Sequence, residues 1–212
     1  MFLALYGKEL RSIWRFGIPV VLAYGYWIAG LIMALYRDTT STFEDSDRVL
    51  YLQITAISFG LVLGLWQTLP EMAMGTAPFL LQTARRREAI LGAKLAAGFT
   101  LFGGLLAVPL ALAVSWDIRW STHYFPLGWG DSLYLWISVW AGACAYLGGL
   151  AIGVRGLWSG EVPRQLGGVL VFGLGIFLGL AFSDAIKASI ALGVTTILSL
   201  AWLWSGYFAR EF

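Results

Sequence analysis

The chain has 212 residues, of which 59% are hydrophobic and 12% are charged, and its mean hydropathy is +0.76. A soluble domain carries about 25% charged residues, so the composition excludes a soluble globular domain and predicts a protein that crosses a membrane several times. The formal net charge of +2 is small, and the position of the charges along the chain is more informative than their sum.

Residues 1–15 are predicted to form an amphipathic interfacial (elbow) helix. Its apolar residues recur at steps of three and four, at Phe2, Leu3, Tyr6, Leu10, Ile13 and Trp14. Its charged residues are Lys8, Glu9, Arg11 and Arg15. Such a helix lies in the plane of the membrane surface with its basic side chains toward anionic head groups. The alternative is a solvated terminus, because chain ends are often poorly ordered.

Residues 16–212 contain six apolar segments, each long enough to cross a membrane as a helix of about 17 residues or more. Their approximate ranges are 16–35, 49–69, 93–114, 133–154, 166–182 and 186–208. The sequence therefore predicts an all-α membrane protein, in which an N-terminal amphipathic interfacial helix is followed by a six-helix transmembrane bundle.

The basic residues predict the orientation of the chain. With the N-terminus in the cytoplasm, ten basic residues lie on the cytoplasmic side: Lys8, Arg11, Arg15, Arg85, Arg86, Arg87, Lys94, Arg155, Arg164 and Arg210. Four lie on the other side: Arg37, Arg48, Arg119 and Lys187. Lysine and arginine in short loops favour the cytoplasmic face. Both termini are therefore expected in the cytoplasm, with the chain an integral protein of a bacterial inner membrane.

Polar residues inside the predicted spans are mild. No Asp, Glu, Lys, Arg or His lies in the middle of a predicted span. Ionisable residues at that depth mark proton relays and ion sites, so a proton-coupled or ion-coupled pump is not expected. The mild polar residues are expected to hydrogen-bond to neighbouring helices; they are Gln53, Thr55, Ser58, Gln67, Thr100, Ser138, Thr195, Thr196 and Ser199.

Glycines four residues apart predict where helices approach each other closely. The pairs are Gly60/Gly64, Gly149/Gly153 and Gly175/Gly179. Two such glycines share one helix face, which lets another backbone come near. Most of these faces are expected to serve contacts within the bundle, and the alternative is a contact with a second subunit.

The longest polar interruption of the apolar pattern is the connector at residues 70–92, which is predicted to be a cytoplasmic coupling segment. Residues 71–87 are expected to form a short helix that Pro78 ends or kinks, with an adaptable apolar surface at Met72, Met74, Phe79 and Leu80. The basic run at 85–87 is expected to bind either carboxylates of a partner or lipid head groups.

No catalytic, metal or nucleotide site is predicted. A phosphate-binding P-loop requires Gly-Lys followed by Ser or Thr, whereas Lys8, Lys94 and Lys187 precede Glu, Leu and Ala. One histidine and one cysteine in separate regions do not make a zinc site. For these reasons, a membrane enzyme that acts on lipid is the least favoured class of function.

The order of these elements and their short motifs resemble the ABC-2 type permease family, the membrane-spanning subunit of type V ABC transporters. The matching residues are Lys8-Glu9-Leu10-Arg11, then Glu71, Gly75-Thr76, Leu80-Leu81, Arg85–Arg87 and Lys94. The chain departs from the family at Ala84, where members often have proline. It also has no room for re-entrant half-helices between the fifth and sixth spans.

The resemblance implies a permease subunit without enzymatic activity of its own. Separate P-loop ATPase subunits would bind ATP and Mg²⁺ and press on the connector, and two permease subunits would form a homodimer or heterodimer. The residues it implies in this coupling are Glu71, Gly75, Thr76, Phe79, Leu80, Arg85, Arg86 and Arg87. Membrane lipid is the other expected partner, and nucleic acid is not expected. The alternative function is a non-catalytic membrane anchor or scaffold subunit of a larger membrane complex.

Overall fold

The computed structural model of the chain describes residues 2–14, 46–68, 87–120, 132–155 and 185–208, together with the single positions 25, 173 and 177. These segments are helical apart from short turns at their ends, and no strand occurs within them. We label the helices α1 (residues 2–14), α2 (Ser46–Trp66), α3 (Arg87–Phe102), α4 (Val108–Trp120), α5 (Leu133–Arg155) and α6 (Ala185–Phe208).

Three helical stretches among the described residues are long and apolar enough to cross a membrane. They are Glu88–Leu112, Leu133–Val154 and Ala185–Ser205, and Leu52–Trp66 is a shorter apolar helix. These four coincide with the second, third, fourth and sixth predicted spans. The predicted spans at 16–35 and 166–182 lie outside the described residues, so the count of six remains a prediction.

The third of the predicted spans belongs to a longer helix than its hydropathy indicates. α3 begins at Arg87, inside the segment assigned to the connector, and the helical stretch continues to Trp120. Two reasons lie in the first turns of α3: Glu88 is an acid near a helix N-terminus, which the helix dipole favours, and Ile90 and Leu91 are buried.

A π-helical turn, Gly103–Ala107, joins α3 to α4. The backbone N–H of Val108 donates to the carbonyl of Gly103, five residues earlier. Pro109 follows directly, and a proline inside a helix has no N–H and clashes with the carbonyl four residues before it. Local widening of the helix is one way in which membrane helices accommodate a proline.

α2 and α5 pack in parallel with their backbones in close contact. A Cβ atom added to Gly60 would overlap the carbonyl oxygen of Gly142, and one added to Gly64 would overlap the carbonyl oxygen of Tyr146. The contacts advance in the same direction on both helices, because Gly142 faces Ala56 near the middle of α2 whereas Gly149 faces Leu61. The prediction that Gly60/Gly64 and Gly149/Gly153 serve contacts within the bundle is confirmed; Gly175/Gly179 lie outside the described residues.

α3 runs in the opposite direction to α2. Lys94, near its start, lies beside Gln67, which follows the end of α2. Phe102, at its end, stacks on Phe59 with ring centroids 5.9 Å apart and an interplanar angle of 9°. Along the chain, α2, α3 and α5 therefore alternate in direction, as three successive membrane crossings do.

α6 packs on α5 through a smaller apolar cluster that contains Ile137, Ala141, Cys144, Ala188 and Leu192. Thr196 takes part in this contact, since its hydroxyl lies 3.1 Å from both Cys144 Sγ and Trp140 Nε1. The other side of α6 carries exposed apolar residues, as expected of a helix that faces lipid; they are Ile186, Ile190, Val194, Ile197, Leu200 and Trp204.

Candidate functional site

α1 presents three different sides. Ile13 and Glu9 are buried, and Leu5, Tyr6 and Leu10 are half-buried against the main apolar core. A second side carries the exposed polar residues Lys8, Arg11 and Ser12, and Phe2, Leu3 and Trp14 are exposed apolar residues. The helix is therefore docked on the bundle by one side only.

α3 is a docking partner of α1. The hydroxyl of Tyr6 donates to Thr100 Oγ1 over 3.1 Å, and the carboxylate of Glu9 meets the ammonium of Lys94. The Phe2 ring would be 3.5 Å from a Cβ placed on Gly92. The contacts of α1 thus cover residues 92–100 of α3.

Glu9 and Lys94 form a buried ion pair. Lys94 Nζ lies 3.3 Å from each oxygen of the Glu9 carboxylate. The side chain of Lys94 is 2% exposed and that of Glu9 is 7% exposed. The same ammonium donates to the backbone carbonyl of Gln67 over 2.9 Å. That carbonyl stands at the C-terminal end of α2, where the helix dipole favours a cation.

Gln67 and Tyr146 complete the site. The side-chain amide of Gln67 donates from Nε2 to the carbonyl of Lys94 over 3.3 Å, and the Tyr146 hydroxyl donates to Gln67 Oε1 over 2.8 Å. The Tyr146 hydroxyl is also 3.1 Å from the Lys94 carbonyl. We call Glu9, Gln67, Lys94 and Tyr146 the polar cluster; all four are buried, and they join α1, α2, α3 and α5.

Gly98 makes room for the polar cluster. A Cβ atom on Gly98 would overlap the phenol ring of Tyr146, and would be 2.7 Å from its Cε2 atom. Phe99, the next residue, contacts the same ring edge-on with centroids 5.3 Å apart. The ring therefore reaches Gln67 because α3 has no side chain at position 98.

The polar cluster suits the positioning of helices. A buried ion pair gains little net stability over apolar packing, because both charges lose their hydration, but removing one partner destabilises by about 3–5 kcal/mol.

No group of three or more His, Cys, Asp or Glu side chains that could hold a metal ion occurs among the described residues.

The structure places the residues of the predicted interfacial helix differently from one another. Lys8 and Arg11 are exposed on α1, whereas Glu9 is buried against Lys94. Arg15 lies outside the described residues. In the sequence, Glu9 belongs to a group of charged neighbours and Lys94 is one of the predicted cytoplasmic positive charges. No local pattern indicates that the two residues form an ion pair. The signal for burial of Glu9 is its helical spacing of four residues from Leu5 and Ile13, both of which pack on the core.

The predicted coupling residues fall mostly outside the described part of the chain. Arg87 is the first residue of α3. The others, outside the described residues, are Glu71, Gly75, Thr76, Phe79, Leu80, Arg85 and Arg86.

Six of the nine mild polar residues of the predicted spans form one or both of two kinds of hydrogen bond. Gln67, Thr100 and Thr196 bond to a neighbouring helix, as predicted. Ser138, Thr195 and Ser199 donate to carbonyls four residues earlier in their own helices.

Comparison of the chain with family models, with curated proteins and with solved structures finds no match.

Proposed function

We propose that the chain is the membrane-spanning permease subunit of an ATP-driven ABC transporter of the ABC-2 type. In this function, separate nucleotide-binding subunits hydrolyse ATP, and the chain couples that hydrolysis to export or to conformational work at the membrane. The observation that carries the proposal is the contact between Gln67 and Lys94. Because Gln67 precedes the basic connector and Lys94 follows it, this contact brings both ends of the connector together at one end of the bundle, next to α1.

The proposal includes six spans and two cytoplasmic termini in a bacterial inner membrane. The alternating directions of α2, α3 and α5 support successive crossings. Single cysteines can test the orientation, because Cys144 is the one cysteine of the sequence and can be replaced by alanine. Arg86→Cys should react only with a permeant reagent, whereas Asp45→Cys should react with an impermeant one. Equal labelling of both positions from outside would contradict the proposed orientation.

Placement of α1 at the inner membrane surface is supported by its three sides. Lys8 and Arg11 are exposed in a position to meet anionic head groups, and the exposed Leu3 and Trp14 can contact the upper part of the acyl chains. Apolar area together with basic charge is what binds a helix to an anionic surface.

Docking of the ATPase is proposed on the connector, through Glu71, Gly75, Thr76, Phe79, Leu80 and Arg85–Arg87. A second permease subunit would complete the transport path between two bundles. In this arrangement, ATP and Mg²⁺ belong to the partner subunits.

Affinity purification of the full-length chain from its native membrane tests the function. It should recover a soluble subunit with a P-loop and ATP turnover. The double variant Phe79→Ala/Leu80→Ala should lose both while its expression is unchanged. The matched control, Phe125→Ala/Leu127→Ala, changes a similar pair in a predicted outer loop and should retain both.

The outcomes separate the candidates. Full binding and turnover in the connector variant would show that the connector is not the docking element. A stable complex that contains no ATPase would favour the alternative, a non-catalytic anchor or scaffold subunit.

A further inference from the structure

We propose that the polar cluster is a positioning clamp, which fixes the base of the connector to α1 and α5 so that these helices move with it. The connection to ATP-driven movement rests on the proposed function. The clamp itself rests on the contacts of Glu9, Gln67, Lys94 and Tyr146.

The clamp closes the base of the connector by reciprocal bonds. The Lys94 ammonium donates to the backbone carbonyl of Gln67 over 2.9 Å, and the Gln67 side chain donates to the backbone carbonyl of Lys94 over 3.3 Å. Each residue thus bonds the backbone of the other, which fixes the position of the end of α2 relative to α3. A side chain that bonds only another side chain would leave the backbones free to shift.

The first two turns of α3 lie beyond the clamp. Lys94 is seven residues into the helix that begins at Arg87, which corresponds to about 10 Å along its axis. The connector enters α3 at the far end of this segment. A displacement of the connector would therefore act on a helical arm that packs on the core through Ile90 and Leu91 and is held at Lys94 by the polar cluster.

Two further side chains link this arm to other helices. Glu9 links Lys94 to α1, and Tyr146 links Gln67 and Lys94 to α5. α5 in turn packs on α2 through glycines with no space between the backbones. The arm, α1 and the α2–α5 pair are consequently joined at one point.

The chemistry of the cluster favours positioning over stability as its role. Replacement of a buried ion pair by apolar residues of similar volume is often neutral or stabilising. Apolar contacts tolerate sliding, whereas four buried polar groups are satisfied together in one arrangement. A double replacement of the charges can therefore separate stability from geometry.

The test uses the full-length chain in lipid nanodiscs, with Cys144→Ala as background and spin labels at Ser12 and Glu88. Both label positions are exposed, one on α1 and one on the arm of α3. The variants are Lys94→Met, Glu9→Leu and the double variant Glu9→Leu/Lys94→Met. Lys8→Met is the matched control, because it removes an exposed lysine from α1.

The measured quantities are the width of the distance distribution between the labels and the thermal midpoint. We expect the double variant to melt near the wild-type midpoint and to have a distribution at least twice as wide. Lys8→Met should change neither quantity. A double variant with the wild-type width would overturn the clamp at any midpoint, and so would equal broadening in Lys8→Met. A double variant that melts as low as Lys94→Met would overturn the positioning role, because loss of stability would then explain the broadening.

A second arm, with the co-purified ATPase, tests the link to transport. The double variant should bind the ATPase as the wild type does. The rate of ATP turnover that the permease stimulates in the ATPase should fall at least tenfold. Full stimulation in the double variant would overturn the coupling role. If no ATPase is recovered with the wild type, the proposed function fails, and the width of the distribution still decides whether the clamp exists.

Discussion

Two of the contacts between the described helices depend on different physics. At the α2–α5 contact, Gly60 and Gly64 bring one backbone against another without any charged group. At the polar cluster, Glu9 and Lys94 meet as a buried pair, 85 residues apart in sequence. The first contact depends on the absence of side chains, and the second on the presence of particular ones. This highly apolar chain thus uses close backbone packing to set the distance between two helices and buried polar bonds to set their relative position.

The largest effect is expected from Lys94→Met. The change leaves the buried carboxylate of Glu9 beside a thioether instead of an ammonium, which should destabilise the protein by about 3–5 kcal/mol. Denaturant unfolding in detergent micelles measures the loss. Glu9→Leu/Lys94→Met should recover most of it, and Lys187→Met, which changes an exposed lysine, should cost little. A double variant as unstable as the single one would mean that charge is not the cause.

Gly64→Ala should cost less, about 1–3 kcal/mol, because overpacking forces the two backbones apart. The new methyl group would overlap the Tyr146 carbonyl oxygen. Gly104→Ala is the control, since a Cβ there meets nothing within 4 Å. The same unfolding assay compares them. Equal costs at the two positions would show that close approach is not what Gly64 provides.

Tyr146→Phe tests the cluster without changing its charges. The variant removes the hydroxyl that donates to Gln67, and a net loss of about 0.5–1.5 kcal/mol is expected from one hydrogen bond. Tyr6→Phe should cost less in the same assay, because its bond to Thr100 is exposed. The opposite ranking would show that the two hydroxyls are not distinguished by burial.

The smallest effect on folding is expected from Arg11→Glu with Arg15→Glu. Each basic residue near an anionic surface is worth about 1 kcal/mol of membrane attraction, so the double change should loosen α1 from the membrane without unfolding the bundle. An environment-sensitive fluorophore at Ser12 should shift toward the signal of a solvated probe. Arg119→Glu, predicted on the other side, serves as the control. An unchanged signal would contradict the interfacial placement.

Local sequence patterns are sufficient to predict the membrane-length helices and much of their close packing. Long apolar runs have few alternatives to helix in a membrane, because each backbone polar group must be satisfied within its own segment. This is why α2, α5 and α6 begin and end within a few residues of the predicted spans. Gly60/Gly64 and Gly149/Gly153 marked helix faces in advance, since glycines four apart share a face whatever lies opposite.

Which helix faces meet, and the ion pair of Glu9, depend on the assembly of the bundle. Glycine spacing shows that a helix face lacks side chains, but it does not show that this face of α2 contacts the glycine face of α5. Glu9 stands between Lys8 and Leu10 in a charged segment, and the ion-pair partner of its carboxylate belongs to another helix. Local patterns report the chemistry of one helix, whereas burial of a charge depends on a partner brought from far along the chain. For that reason, the polar cluster emerges from the assembled bundle and not from any single segment of it.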